Sequence, residues 1–222
     1  YYALMAAKAD AIGLVFSTST PNMAYFGARE AGVSNAPLAI AVPTGDRSPL
    51  VLDMATSVAA SGKIKQAVDS GRAIPPDWAL DAKGNPTTDP AAADLLLPLG
   101  GPKGSGLALM LECVTSILAG APALERMLTG KEPRKHRQNA MAIAIDVAAF
   151  TDPKTFRTEA DALAAAVEAL PRAGAEAILM PGARGAEIEA ERARDGIPLP
   201  RGTWRRLGEA AAKVGVPMPA PL

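Results

Sequence analysis

This 222-residue chain is poorest in histidine and cysteine, with one of each. A single histidine, His136, rules out a metal site built on several histidines. A Ser-His-Asp triad would have to use that same residue, which sits in the basic run Lys135-His136-Arg137 where solvent exposure is expected, and no G-x-S-x-G turn is there to carry a nucleophile. The lone Cys113 cannot close an internal disulfide, so a reducing compartment, the cytoplasm, is expected. Neither sign of charge dominates, with 23 Lys and Arg against 23 Asp and Glu. The electrostatic footprint of a DNA, RNA or anionic-membrane binder is therefore missing. The most apolar run, residues 107–121, is too short to span a bilayer and is broken by Glu112. No signal peptide opens the chain, and no G-x-G-x-x-G follows a strand.

What remains is the balance of a compact soluble protein, 49% hydrophobic and 21% charged, and a length that suits one large domain or about one and a half ordinary ones. The chain opens at Tyr1 inside a helical pattern: Tyr1, Leu4, Met5 and Lys8 follow helical spacing and no cap precedes them. This points to a segment upstream, or to removal of an initiator methionine or short tag. Residues 11–17 (AIGLVFS) predict a buried strand, followed by a polar loop over 18–22. Residues 37–42 and 49–52 are apolar runs flanking PTGDRS, where Gly45-Asp46 predicts a hairpin turn. Asp53 stands as an N-cap before a small-residue helix from Met54 to about Ser70. Residues 71–98 contain five prolines and read as a long irregular excursion, of a length that is usually functional. GGPKGSG (100–106) then opens a helix from Leu107 to about Ala119, ended by Gly120. Residues 141–150 alternate at first like a strand, 158–170 form an Ala-rich amphipathic helix stopped by Pro171, and 177–180 a short strand ending at Pro181-Gly182. Helices follow at 186–194 and 203–214, the second capped by Thr203. Strands and helices interleave, so the class is α/β or α+β with a mixed sheet.

Three segments have the composition of a ligand site. GGPKGSG combines glycines, Lys103 and a helix start, so that backbone amides, helix potential and a full charge could meet an anion; the bland reading is a tight turn with a solvated lysine. It is not a P-loop, because no GK[ST] follows. VLDMATS (51–57) places small side chains where a strand passes into a helix, which lets a flat ligand approach the backbone; an ordinary N-cap is the plain alternative. GARG (182–185) carries Arg184, able to pair with a phosphate or carboxylate or simply to be solvated. Acid–base machinery is nearly absent beside these loops.

The order of the segments resembles the malate/L-lactate dehydrogenase family of oxidoreductases, whose fold is not the Rossmann fold. AIGLVFSTSTPNMAYFGARE is similar to the family's strand and loop ending in an aromatic, a glycine and an acid. VLDMATS is close to its cofactor motif, WALDAKGNPTTDP to its characteristic loop, and LLPLGGPKGSGLALMLE to its lysine loop and following helix. IAID, MPGARG and GIPLPRGTW complete a collinear set covering essentially the whole chain.

The resemblance implies a layered, mixed-sheet α/β architecture, incomplete at its N-terminus. Residues 1–222 would be one cofactor-binding domain plus C-terminal helices that pack on a missing N-terminal substrate segment. It implies a homodimer using NAD or NADP to oxidise small 2-hydroxy acids or to reduce 2-oxo acids, with reduction of cyclic imino acids as an alternative. Carried over position by position, Ser19, Val51, Leu52, Asp53, Met54, Ala55, Thr56, Ser57, Pro102, Lys103, Gly182, Ala183 and Arg184 would line the cofactor. Two departures stand out: Pro102 replaces an aromatic or histidine before the lysine, and Ser34-Asn35-Ala36-Pro37 replaces Gly-Thr-Asn-Pro. The family's catalytic histidines and substrate-binding arginine match nothing here and would lie upstream of Tyr1, so no catalytic residue is assigned within the chain. If nothing supplies them, the chain is a catalytically silent cofactor-binding or dimerisation module.

Overall fold

The computed structural model describes residues 1–130 and 138–219, so the expectation for His136 lies outside the described residues. In chain order the elements are α1 (Tyr2–Ala7), β1 (Ala11–Ser19), β2 (Met23–Ala24), β3 (Ala31–Val33), β4 (Leu38–Val42), β5 (Leu50–Met54), α2 (Ser61–Ser70), β6 (Ala79–Leu80), β7 (Leu95–Leu96) and α3 (Pro102–Glu112). A π-turn (Cys113–Ile117), α4 (Glu125–Thr129), β8 (Gln138–Asp146), a 3-10 turn (Val147–Ala149), α5 (Pro153–Glu168), α6 (Ala183–Asp195) and α7 (Arg201–Val214) follow. They divide into two units, Tyr1–Gly182 and Ala183–Leu222.

The larger sheet of the first unit runs β5-β4-β1-β8, antiparallel throughout, with β4 and β5 joined across the Gly45-Asp46 turn. Side chains alternate between its faces. Val15, Ala39, Ala41 and Val51 meet Ala3 and Ala7 of α1 on one face. Phe16, Leu38, Ile40 and Met54 on the other meet Met23, Val33 and Leu96 of the small sheet and Ala108 and Leu111 of α3. The helical pattern of the first residues is borne out, but α1 buries Ala3 and Ala7 while Tyr1, Tyr2 and Met5 stay exposed. The helix lies so close to the sheet that a side chain at Gly13 would overlap the carbonyl of Ala3. Alanine fits that contact where larger residues do not.

The small sheet runs β3-β2-β7-β6, and its β2–β7 pair, through Met23 and Leu96, is the parallel contact that makes the architecture mixed. Two of its strands come from the proline-rich segment 71–98, which is thus not irregular throughout. Asp81 folds the turn after β6 by accepting the N–H groups of Lys83 and Asn85, both at 2.9 Å. The Asn85 amide holds its carboxyl below the usual range.

Several expected boundaries move. Asp53 is not a helix cap: it pairs with Ala39, and Met54 with Leu38, so the ladder extends β5 and the helix waits until Ser61, with Ala60 as N-cap. α3 starts at Pro102, not Leu107, because proline in the first turn loses no hydrogen bond. It widens at its end, where Leu118 N–H reaches the Cys113 carbonyl (3.0 Å), before Gly120 (φ 66°) stops it as expected. α5 likewise starts at a proline, Pro153, capped by Asp152. Residues 177–180 form no strand; the chain contributes one bond to the outer edge of β5, from Val51 N–H to the Pro181 carbonyl (3.0 Å). In the second unit α7 begins at Arg201 after Pro200, which leaves Thr203 inside the first turn rather than at the cap. Neither α6 nor α7 buries a residue fully.

Candidate functional site

The site is built where β5 runs out. Past Met54 the Thr56 N–H donates to the Asn35 carbonyl (3.1 Å), and the Thr56 carbonyl accepts from Leu99 N–H (2.8 Å). Val58 N–H bonds Leu97 O (2.9 Å), and Ser57 bridges Pro98. VLDMATS and GGPKGSG, about forty-five residues apart in sequence, therefore lie backbone to backbone. Gly104 makes the approach possible: a Cβ there would sit 2.5 Å from the Leu99 carbonyl and 2.6 Å from that of Thr56. Ser105 fastens a third segment by accepting the Phe26 N–H through its hydroxyl (2.8 Å).

The lysine loop differs from the expected cradle of open amides. Gly101 N–H bonds Pro98 O (3.1 Å), Lys103 N–H bonds Gly100 O (3.4 Å), Gly104 N–H bonds Leu99 O (2.8 Å), and Ser105 N–H bonds Gly101 O (3.3 Å). The loop has turned its donors inward. What it offers an anion is the Lys103 side chain, exposed in the first turn of α3 beside exposed Pro102 and forming no ion pair among the described residues.

The other predicted residues fall into groups. Leu52 (39% exposed) and Asp53 present themselves to solvent from β5, while Val51, Met54 and Ala55 are half-buried. Thr56 and Ser57 are buried. The Ser57 hydroxyl is committed to the Ala59 carbonyl (2.8 Å), but the Thr56 hydroxyl has no hydrogen-bond partner among the described residues. Because Phe16, Leu38 and Met54 stand in register across three strands, Ser19 lies beyond them at the same end of the sheet as Thr56. Gly182 packs on Val51 at the other end of β5, 3.2 Å from it when given a Cβ. Ala183 and Arg184 open α6 in the second unit, half-buried and exposed respectively.

A buried polar network stands behind Ser19 and was not foreseen. Thr18 Oγ1 contacts Thr115 Oγ1 (2.8 Å) and Ser116 Oγ (2.7 Å), and Asn139 Nδ2 donates to Ser116 Oγ and the Ala121 carbonyl, both at 2.9 Å. Two adjacent hydroxyl residues inside the apolar run LMLECVTSILAG were its one sequence signal. Asn22 and Asn35 also hold the site; Asn35 lies in the segment that departs from the family pattern, but nothing in the sequence pairs it with Asn22. Among the described residues no group of three or more His, Cys, Asp or Glu side chains could hold a metal ion, and no helix is long and apolar enough to cross a membrane.

These residues fit a nicotinamide dinucleotide in kind. An exposed apolar side chain suits a flat ring, an exposed carboxylate suits ribose hydroxyls, and an unpaired ammonium on a rigid helix start suits a pyrophosphate. A buried hydroxyl without a partner is a further polar group to be satisfied.

The family model for malate/L-lactate dehydrogenase matches residues 1–208. This chain belongs to the malate/L-lactate dehydrogenase family. L-sulfolactate dehydrogenase of Methanocaldococcus jannaschii is 33% identical over 221 residues, 97% of this chain and 63% of that protein. Ureidoglycolate dehydrogenase (NAD(+)) of Escherichia coli is 42% identical over 122 residues, 55% of this chain and 35% of that protein. Among solved structures, malate dehydrogenase from Entamoeba histolytica superimposes with a TM-score of 0.86 at 26% identity, over 99% of this chain and 66% of that one. The expected family and the mixed α/β fold are thereby established, and the chain spans under two thirds of the length of the curated relatives it matches.

Proposed function

We propose that this chain is the cofactor-bearing part of an NAD(P)-dependent cytoplasmic dehydrogenase of small 2-hydroxy acids, interconverting them with 2-oxo acids. The observation that carries the reading is the direct backbone contact between VLDMATS and the lysine loop, in a member of this family. The names of its relatives, sulfolactate and ureidoglycolate dehydrogenases, support a hydroxy acid substrate, and one of them names NAD(+).

When bound, the nicotinamide group supplies hydride transfer at its C4. The residues of this chain bind and orient it. Lys103 meets the pyrophosphate as a charge, Leu52 gives an apolar surface on the α3 side of β5, and Thr56 offers its unpaired hydroxyl; Asp53 faces the α1 side and would reach ribose hydroxyls only around the edge of the strand. Val51, Met54, Ala55, Ser57 and Pro102 shape the backbone around them, and Ser19 and Gly182 complete the contact set of this unit. Proton transfer to the substrate oxygen falls to a group in the part of the relatives that this chain does not match.

The same reading includes a homodimer. The outward side of α3 and its π-turn exposes Leu107, Met110, Ile117 and Leu118. A helix apolar on both sides is one that is covered on both.

Lys103→Ala tests the proposal. A charge-assisted contact of this kind contributes about 1.5–3 kcal/mol, roughly a tenfold to hundredfold change in affinity. NADH and NADPH are titrated against both chains by fluorescence, with thermal melting to check the fold. Weaker binding with an unchanged melt is expected, and unchanged affinity for both nucleotides sinks the role of this loop.

A further inference from the structure

We infer that Asn22 and Asn35 act as a pair of positioning residues that set the cofactor strand and the lysine loop in place; the inference rests on the cofactor reading above. Asn22 Oδ1 accepts the Asn35 N–H at 2.8 Å, and Asn22 Nδ2 donates to Asn35 Oδ1 at 3.2 Å. The two residues thus clasp through both a backbone and a side-chain bond. Asn22 is itself anchored in the small sheet, its N–H on the Val33 carbonyl (3.1 Å) and its carbonyl accepting from Leu96 N–H (3.2 Å). Asn35 lies in the link from β3 to β4, between the small sheet and the large one. Its carbonyl receives the Thr56 N–H, and Thr56 in turn receives Leu99 N–H, against which Gly104 packs. A continuous series of hydrogen bonds runs from the small sheet through the clasp and the end of β5 into the loop that carries Lys103.

The clasp decides where the Asn35 carbonyl sits, and that carbonyl decides where Thr56 sits. Both ends of the Asn22 side chain are engaged with Asn35, and Asn35 reaches Thr56 through its carbonyl, so the pair acts through Thr56. Small displacements count heavily in such an arrangement, since an error of about 1 Å in a positioned group costs up to about a hundredfold.

The chemistry of the clasp gives a test that a generic packing role would not pass. Asn22→Asp keeps the acceptor for Asn35 N–H, and the Asn35 amide turns over to donate to the new carboxylate. Asn35→Asp keeps the acceptor for Asn22 Nδ2. Each single variant should bind NADH within about twofold of the unsubstituted chain, whereas the double variant sets two carboxylates against each other and should lose about tenfold or more. If the double variant binds as tightly as its parents, the inference is overturned while the cofactor reading stands. Amide hydrogen exchange gives a readout free of the nucleotide: in Asn22→Ala the Thr56 and Leu99 amides should exchange about tenfold faster. Unchanged exchange at both overturns the coupling whatever the nucleotide does. If the unsubstituted chain binds neither NADH nor NADPH, the cofactor reading falls, and the exchange result still decides the clasp.

Discussion

Thr56 is the residue whose surroundings ask most for an explanation. It is 0% exposed, and its hydroxyl has no hydrogen-bond partner among the described residues. An unsatisfied buried hydroxyl costs about 1–3 kcal/mol, so a purely structural site would gain by losing it. Thr56→Val keeps the shape and removes the oxygen. The variant is expected to melt at the same temperature or higher and to bind NADH more weakly; equal or tighter binding would remove the hydroxyl from the site. Lys103 stands out in the sequence because glycines, a charge and a helix start lie within a few residues, and Thr56 because VLDMATS resembles a cofactor motif. Asn22 and Asn35 do not. Their partnership exists only after β2 and β3 have paired, and nothing in either dipeptide foretells it.

At the level of elements, proline misled the reading of helix starts in the same way twice. Pro102 and Pro153 occupy first turns, where their missing N–H costs nothing, so α3 and α5 begin five residues earlier than the apolar pattern alone indicates. Asp53 erred in the opposite direction: a local cap signal lost to a ladder of five paired residues with β4. α5 is held to the sheet by Arg47, whose guanidinium reaches Glu168 twice (3.2 and 3.1 Å), by Asp161 on the Asp46 N–H (2.8 Å), and by an ion pair of Arg157 with Asp10. Its cap makes it sensitive to acid. The Thr155 backbone amide, with the Thr155 hydroxyl, holds the Asp152 carboxyl below its ordinary value. A depressed carboxylate gives stability that is present above the unfolded pKa of about 3.9 and is lost as pH falls through the lower folded value. Asp152→Asn keeps a good cap without a titrating group. Melting curves of the two chains should differ in their dependence on pH only on the acid side, below about pH 4; parallel curves down to the lowest pH would deny the cap a share in acid unfolding.

For the molecule as a whole, both faces of the large sheet follow from alternating apolar residues, and the helices expected at 186–194 and 203–214 are found as α6 and α7. The strand order is not legible in the sequence, because β8 pairs with β1 from the far end of the chain. The proposed dimer gives the test at this scale. Met110→Glu puts a charge on the outward stripe of α3, a change expected to cost about 2 kcal/mol or more if that side is covered by a second copy. Sedimentation should then show a dimer for the unsubstituted chain and a monomer for the variant at the same concentration; two dimers would move the interface elsewhere. One consequence concerns the far side of the sheet from Pro181. Among the described residues β8 is the other outermost strand, and its nine residues, QNAMAIAID, hold no proline and one charge, at the end. Such an apolar, nearly uncharged rim is a template for further strands. It is the segment on which incompletely folded copies would stick together, so the yield on refolding falls as the chain is concentrated, and fibrous aggregates would begin there.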